Sequence, residues 1–199
     1  MLILISLTIV SIPLPTVNAS LPEPRGSGII YTSTYGQLVN ETTAAQQICT
    51  DIASRFDQNN YMVTNAYGST TLKSNVLSWA SSREQNFHRV AIFHFGHGGV
   101  MDRDGDGYLH YDYFDSQGVQ IWDDEIYART GLGKHFFVLL WTCWQGNEIG
   151  DSHPRGMPYC WTHGATLSTD GYVNPDNGLY CFIGFYRASP ALAFRSFQY

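Results

Sequence analysis

The chain has 199 residues, enough for one domain with a sizeable core or for two small ones. With 44% hydrophobic and 14% charged residues it is not an intrinsically disordered chain, and a net charge of -6 argues against a nucleic-acid partner held by phosphate contacts. The charge is uneven: residues 102–125 hold eight acids and one base, a local -7, while the other 175 residues sum to +1.

Residues 1–19 carry no charge, run apolar from Leu2 to Ile12, and end on the small-residue site Val17-Asn18-Ala19. They predict a signal peptide, although without the usual basic start, and so a secreted or extracytoplasmic protein. Pro13 and Pro15 stop the apolar run short of the roughly 20 residues a membrane span needs, so no stable membrane association is expected after cleavage. Residues 20–27 read as a Pro/Gly-rich linker, and one α/β domain is predicted over 28–199.

Within that domain, 28–34 contains the β-rich run Ile29-Ile30-Tyr31. Asn40 is a candidate cap for a helix whose apolar positions are Ala45, Ile48, Cys49, Ile52 and Phe56. Strands are predicted over 61–66 and 89–95, with a helix over 70–82 between them carrying Leu72, Val76 and Ala80 on one face. The acidic insert follows, with a hairpin of 108–115 and 119–121 turned at Ser116-Gln117-Gly118. Asp123 caps a predicted helix over 124–130. Residues 134–142 hold Phe136-Phe137-Val138-Leu139-Leu140, a continuous apolar run suited to a strand buried on both faces of a parallel sheet. Residues 181–185 are a further strand. Ser189-Pro190 opens a helix that stops after about two turns at Tyr199, the mark of a truncated or minimal domain. Strands alternating with helices predict an open, mostly parallel α/β sheet covered on both faces, with ligands at the carboxyl ends of the strands.

Two strand ends carry chemistry. The strand ending at residue 95 runs into His94-Phe95-Gly96-His97-Gly98-Gly99, and the one ending near 142 runs into Trp141-Thr142-Cys143-Trp144-Gln145-Gly146. Parallel neighbours deliver both ends to one edge, bringing a histidine and a thiol together across 46 residues of sequence. A thiolate attacks a carbonyl carbon and the histidine relays the proton. The Gly98 and Cys143 N–H groups are candidates for an oxyanion hole.

An apolar strand ending in His-Gly followed by one ending in Cys resembles the caspase-like cysteine peptidases, the fold group of caspases, legumains, gingipains and clostripain. The resemblance spans roughly Gly28 to Tyr186, and its specific content is Phe93–Gly99 and Phe136–Gly146. It implies a caspase-like sheet, peptide-bond hydrolysis on a peptide or protein substrate, His97 as catalytic histidine, Cys143 as nucleophile, and no organic cofactor. Thr142 departs from the Ala that many members carry there. Such peptidases are often made as zymogens, but no clear processing site is visible in this chain.

Asp102-Arg103-Asp104-Gly105-Asp106-Gly107-Tyr108-Leu109 reproduces the first eight positions of a Ca²⁺-binding loop. Three alternating carboxylates converge on a hard cation, Gly107 permits the sharp turn, and the Tyr108 carbonyl is the next ligand. The closing acid expected at Tyr113 is missing. Asp112, one residue early, is the candidate in its place. The loop starts five residues after His97, so Ca²⁺-dependent activity is expected. A solvated acidic turn is the plain alternative.

Two other function classes stand beside the peptidase. One is a zinc-dependent hydrolase with His94 and His97 joined by Cys143 or by His110, His135, His153 or His163. The other is a non-catalytic Ca²⁺-binding module of the same fold. Cys49 reads as a core thiol, Cys160–Cys181 is the candidate disulfide, and a Cys143–Cys160 bridge would abolish the nucleophile. Asn40-Glu41-Thr42 is a glycosylation sequon. Asp151 and Asp170 are candidate pocket acids for a basic substrate residue. Trp141, Trp144, Trp161 and Tyr172 fit a cleft or the core equally well.

Overall fold

A computed structural model describes residues 24, 26–67, 70–146, 156–163 and 181–189. The predicted signal peptide, the C-terminal helix, Asp151, His153, Asp170 and Tyr172 lie outside them. Five strands form the main sheet: β1 (Gly26–Thr32), β2 (Tyr61–Ala66), β3 (Val90–Phe95), β7 (His135–Trp141) and β8 (Cys181–Gly184). Their order is β2-β1-β3-β7-β8, and all four pairings are parallel. Three further strands, β4 (Gly98–Met101), β5 (His110–Phe114) and β6 (Gln120–Trp122), form a small antiparallel sheet. The helices are α1 (Val39–Gln58), α2 (Lys73–Asn86), α3 (Asp123–Tyr127) and α4 (Met157–Thr162). This is the predicted α/β class.

The alternation of side chains along each strand divides the core in two. Ile29, Tyr31, Val90, Ile92, Val138 and Leu140 join Val76 and Ala80 of α2, Ile126 of α3, Trp161 of α4 and Tyr113 of the small sheet. Ile30, Ala91, Phe93 and Phe95 face the other way and meet Ala45, Cys49 and Ala53 of α1, with Ile48, Ile52 and Phe56 at the margin. Neither face of the central strands is left to water, which is why β3 and β7 read as apolar runs.

Local boundaries depart from expectation for identifiable reasons. β1 begins at Gly26 because the Ser27 N–H donates to the Arg89 carbonyl at 2.9 Å, drawing the end of the expected linker into the sheet. Asn40 is not the cap of α1: the helix starts at Val39, and Glu41 accepts the Leu38 N–H at 3.0 Å. β4 and α4 were not expected at all. α4 is only six residues long and is held by burial of Met157, Cys160 and Trp161. Among the described residues no helix is long and apolar enough to cross a membrane.

The buried stripe of α2 contains a charge. Val76, Ala80 and Glu84 recur every four residues, and Glu84 is 2% exposed. Its carboxylate accepts the His135 Nδ1–H at 2.9 Å and the Leu132 and Lys134 N–H groups at 3.1 and 3.4 Å. Burial pushes the Glu84 carboxyl up, but the His135 hydrogen bond and charge and the two N–H donors together hold it below its ordinary value of 4.5. A lowered folded value means that stability is present in full above the unfolded value and is lost as pH falls through the folded one. Glu84→Gln is expected to cost about 3 kcal/mol near neutral pH, because it removes the buried carboxylate that accepts the His135, Leu132 and Lys134 N–H groups. The gap to wild type should close below pH ~4.5, as read by urea unfolding at several pH values. A gap that stays constant into acid would show that the charge is not what stabilises.

Candidate functional site

The two strand ends meet as the parallel topology requires. β3 and β7 are neighbours in register, with Phe95 opposite Trp141, so the loops beginning at Gly96 and Thr142 leave the same edge. The Gly96 N–H donates to the Trp141 carbonyl at 3.2 Å, extending the pairing into the loops. His97 is exposed and Cys143 half-buried with a free thiol. The candidate Cys160–Cys181 disulfide is not formed: both are free thiols, Cys160 buried in α4 and Cys181 exposed on β8. Burial pushes the Cys49 thiol up to about 12, in keeping with a core role.

His97 is anchored on a segment that sequence reasoning did not implicate. Its Nε2 lies 3.2 Å from the Gly36 carbonyl in the turn between β1 and α1. A carbonyl only accepts, so Nε2 carries the hydrogen and Nδ1 is left as the basic nitrogen of the neutral ring. Cys143 Sγ meets Ser189 beyond β8, accepting its N–H at 3.4 Å. Trp144, the next residue, has φ +65°, a left-handed conformation that a bulky side chain rarely adopts. Two backbone bonds hold that turn: the Trp144 N–H donates to the Arg187 carbonyl and the Gly146 N–H to the Phe185 carbonyl, both at 2.9 Å. Gln145 is fully buried and donates from Nε2 to the Asp112 carbonyl at 2.7 Å and the Cys143 carbonyl at 2.8 Å. It ties the Cys143 loop to the small sheet, and no motif marked it.

Gly98 is where the two loops press together. A methyl group there would lie 2.7 Å from the Asp112 carbonyl oxygen, 2.8 Å from Gln145 Nε2 and 2.9 Å from Thr142 Oγ1. The His97 carbonyl accepts the Phe114 N–H at 3.0 Å, which makes Gly98–Tyr113 a non-hydrogen-bonded pair. The Gly98 N–H therefore stays outside the ladder and is available to a ligand. Gly98→Ala is expected to destabilise the protein by about 1–3 kcal/mol, read by thermal unfolding, since the nearest obstacle is rigid backbone.

The acidic loop connects β4 to β5, so it is the tip of a hairpin flanked by strands, not helices. Oxygens of Asp102, Asp104 and Asp106 lie within 4.8 Å of one another. Asp102 accepts the Gly105 and Gly107 N–H groups at 2.8 and 3.1 Å, and Gly107 has φ +83°, the turn expected of it. The Tyr108 N–H donates to Asp106 Oδ1 at 2.9 Å. These three carboxylates are close enough together to share a cation. Asp112 is not among them: it is 1% exposed in β5, opposite Gly99 and Trp122. Burial raises its carboxyl above the ordinary range, against hydrogen bonds from Gln120 and the Gly99 N–H. The loop also stands farther from His97 than sequence spacing suggested. β4 intervenes, putting roughly 10 Å of extended strand between them.

The zinc set is not assembled among the described residues. His94 is fully buried, stacked on Tyr31 at 4.5 Å and against Tyr113 at 4.6 Å, and burial pushes its imidazole down to about 3. His97 is on the exposed loop, His135 is bound to Glu84, and His163 sits against the Cys160 carbonyl at 3.0 Å. His110 alone has metal-spaced neighbours, Asp123 and Asp124, and neither His94, His97 nor Cys143 is with it.

No family model and no curated protein matches the chain. Among solved structures it is similar to protein GSU0716 from Geobacter sulfurreducens, at 17% identity and a TM-score of 0.47, covering 62% of this chain and 52% of that one. The chain thus spans about half the length of that protein.

Proposed function

We propose that the protein is a secreted cysteine endopeptidase of the caspase-like type, acting through His97 and Cys143. The observation that carries this is the meeting of a histidine loop and a thiol loop at the carboxyl edge of adjacent parallel strands, with Gly98 packed against Thr142. The Cys143 thiolate attacks the substrate carbonyl carbon, and the thiol proton goes to Nδ1 of His97. The negative oxygen is met by the Gly98 and Cys143 N–H groups. His97 then protonates the leaving amine. Water, deprotonated by the same nitrogen, cleaves the thioester and regenerates the thiol. The Gly36 carbonyl holds the ring tautomer and steadies the imidazolium between these steps. In the same reading Asp102, Asp104, Asp106 and the Tyr108 carbonyl take a divalent cation and stiffen the β4–β5 hairpin.

The test is a peptide-library digest beside thiol alkylation. Hydrolysis should fall in step with alkylation of Cys143, identified by mass spectrometry. Hydrolysis that persists after Cys143 is fully alkylated, or no hydrolysis by folded protein, would end the proposal.

A further inference from the structure

The acidic loop faces a histidine that oxygen-only coordination does not use. His110 is 6% exposed at the start of β5. Its Nδ1 lies 3.0 Å from Asp123 Oδ1, and Asp123 is fully buried. That carboxylate is saturated by donors. Oδ1 also accepts the Asp124 N–H at 2.9 Å, and Oδ2 accepts the Tyr111 and Gly156 N–H groups at 3.2 and 2.8 Å. An ionised carboxylate only accepts, so His110 Nδ1 must donate and Nε2 carries the lone pair of the neutral ring. Nε2 is buried and has no hydrogen-bond partner. It lies 3.7 Å from Asp104 Oδ2, beyond hydrogen-bond reach. Asp104 in turn is grouped with Asp102 and Asp106. A buried nitrogen lone pair beside the Asp104 carboxylate, with its other nitrogen fixed by the Asp123 carboxylate, is the arrangement in which a metal-ligating imidazole is oriented.

We infer that His110 Nε2 and Asp104 hold a borderline divalent transition metal of the zinc class, with solvent completing the shell on the exposed side of Asp104. Two ligands about 2.1 Å from a tetrahedral zinc ion lie ~3.4 Å apart, close to the observed approach. Ca²⁺ takes oxygen and gains little from imidazole, whereas zinc-class ions gain a strong bond. Asp124 is not a ligand, since both its oxygens accept from Arg103 at 3.1 Å. Asp123 does not touch the ion but holds the His110 ring through Nδ1, as a positioning residue. This inference rests on the loop being a cation site and is independent of peptide hydrolysis.

The experiment is calorimetric titration of the full chain with Zn²⁺ and, separately, Ca²⁺, for wild type, Asp104→Asn and His110→Gln. It is combined with ¹⁵N observation of the His110 ring. Asp104 is an exposed side chain, so Asp104→Asn keeps the test usable even where His110→Gln perturbs folding. The expected result is one Zn²⁺ per chain, bound at least tenfold more weakly by Asp104→Asn, with the Nε2 resonance of His110 displaced by Zn²⁺ and unmoved by Ca²⁺. Zn²⁺ affinity that survives Asp104→Asn, or an unmoved Nε2, overturns it. Ca²⁺ binding without Zn²⁺ binding overturns it while leaving the cation reading of the loop standing. Binding of neither ion ends both.

Discussion

Cys143→Ala is expected to lower peptide hydrolysis by on the order of 10⁴-fold or more while melting close to wild type. A factor of 10⁴ is about 5.4 kcal/mol of transition-state stabilisation, more than any positioning contact in the site supplies. The thiol is half-buried, and its contact is with Ser189, so its loss has little effect on the fold. His97→Ala is expected to cost about 10²–10⁴-fold, the usual worth of a general base. The double variant should be little worse than Cys143→Ala alone, since the two groups act on one proton. Steady-state hydrolysis of a library-selected peptide, with circular dichroism as a fold control, measures all three. A Cys143→Ala protein retaining a tenth of the wild-type hydrolysis would rule out the thiol as nucleophile.

Asp123→Ala is expected to be among the most destabilising single changes in the small sheet and its flanking helices, at about 3–5 kcal/mol. It strips a fully buried acceptor from the His110 ring and from the Tyr111, Asp124 and Gly156 N–H groups together. The His110, Tyr111 and Gly156 donors are left without a partner where water does not reach, and orphaned donors cost more than the bond itself was worth. Against a total stability of roughly 5–15 kcal/mol, the melting temperature should fall by about 10 °C or more. Asp123→Asn should recover less than half of the loss, because its amide nitrogen would face donors. Thermal unfolding of both variants checks this, and a loss below about 1 kcal/mol for Asp123→Ala would mean that the network is not cooperative.

The acids of residues 102–125 show how far a sequence reading carries. The local charge of -7 is plain in the chain. Its division among roles is not. Asp102, Asp104 and Asp106 are exposed at a hairpin tip. Asp112, Asp115 and Asp123 are 1%, 2% and 0% exposed. Asp115 does the work of a cap, accepting the Lys73 N–H that opens α2 and the Gln117 and Val119 N–H groups of its own turn, at 2.9, 2.8 and 2.9 Å. The sequence reads Asp123 as ordinary helix capping, yet it is the hub between β5, α3 and the start of α4. An aspartate in a turn-rich segment looks the same in one dimension whether its partners are water or amides 33 residues away.

By itself the sequence determined the strands β1, β2, β3 and β7 and the long helices between them, because apolar periodicity and turn residues act within a few positions of one another. It also determined which strands lead into the His97 and Cys143 loops, since that follows from where the apolar runs stop. It took the closed fold to show that β3 and β7 lie side by side, that the Gly36 carbonyl anchors His97, that Gln145 ties down the Cys143 loop, and that His110 Nε2, without a hydrogen bond, lies 3.7 Å from Asp104. Each joins groups from different elements, and the burial that gives it weight exists only once the sheet and its covering layers have closed.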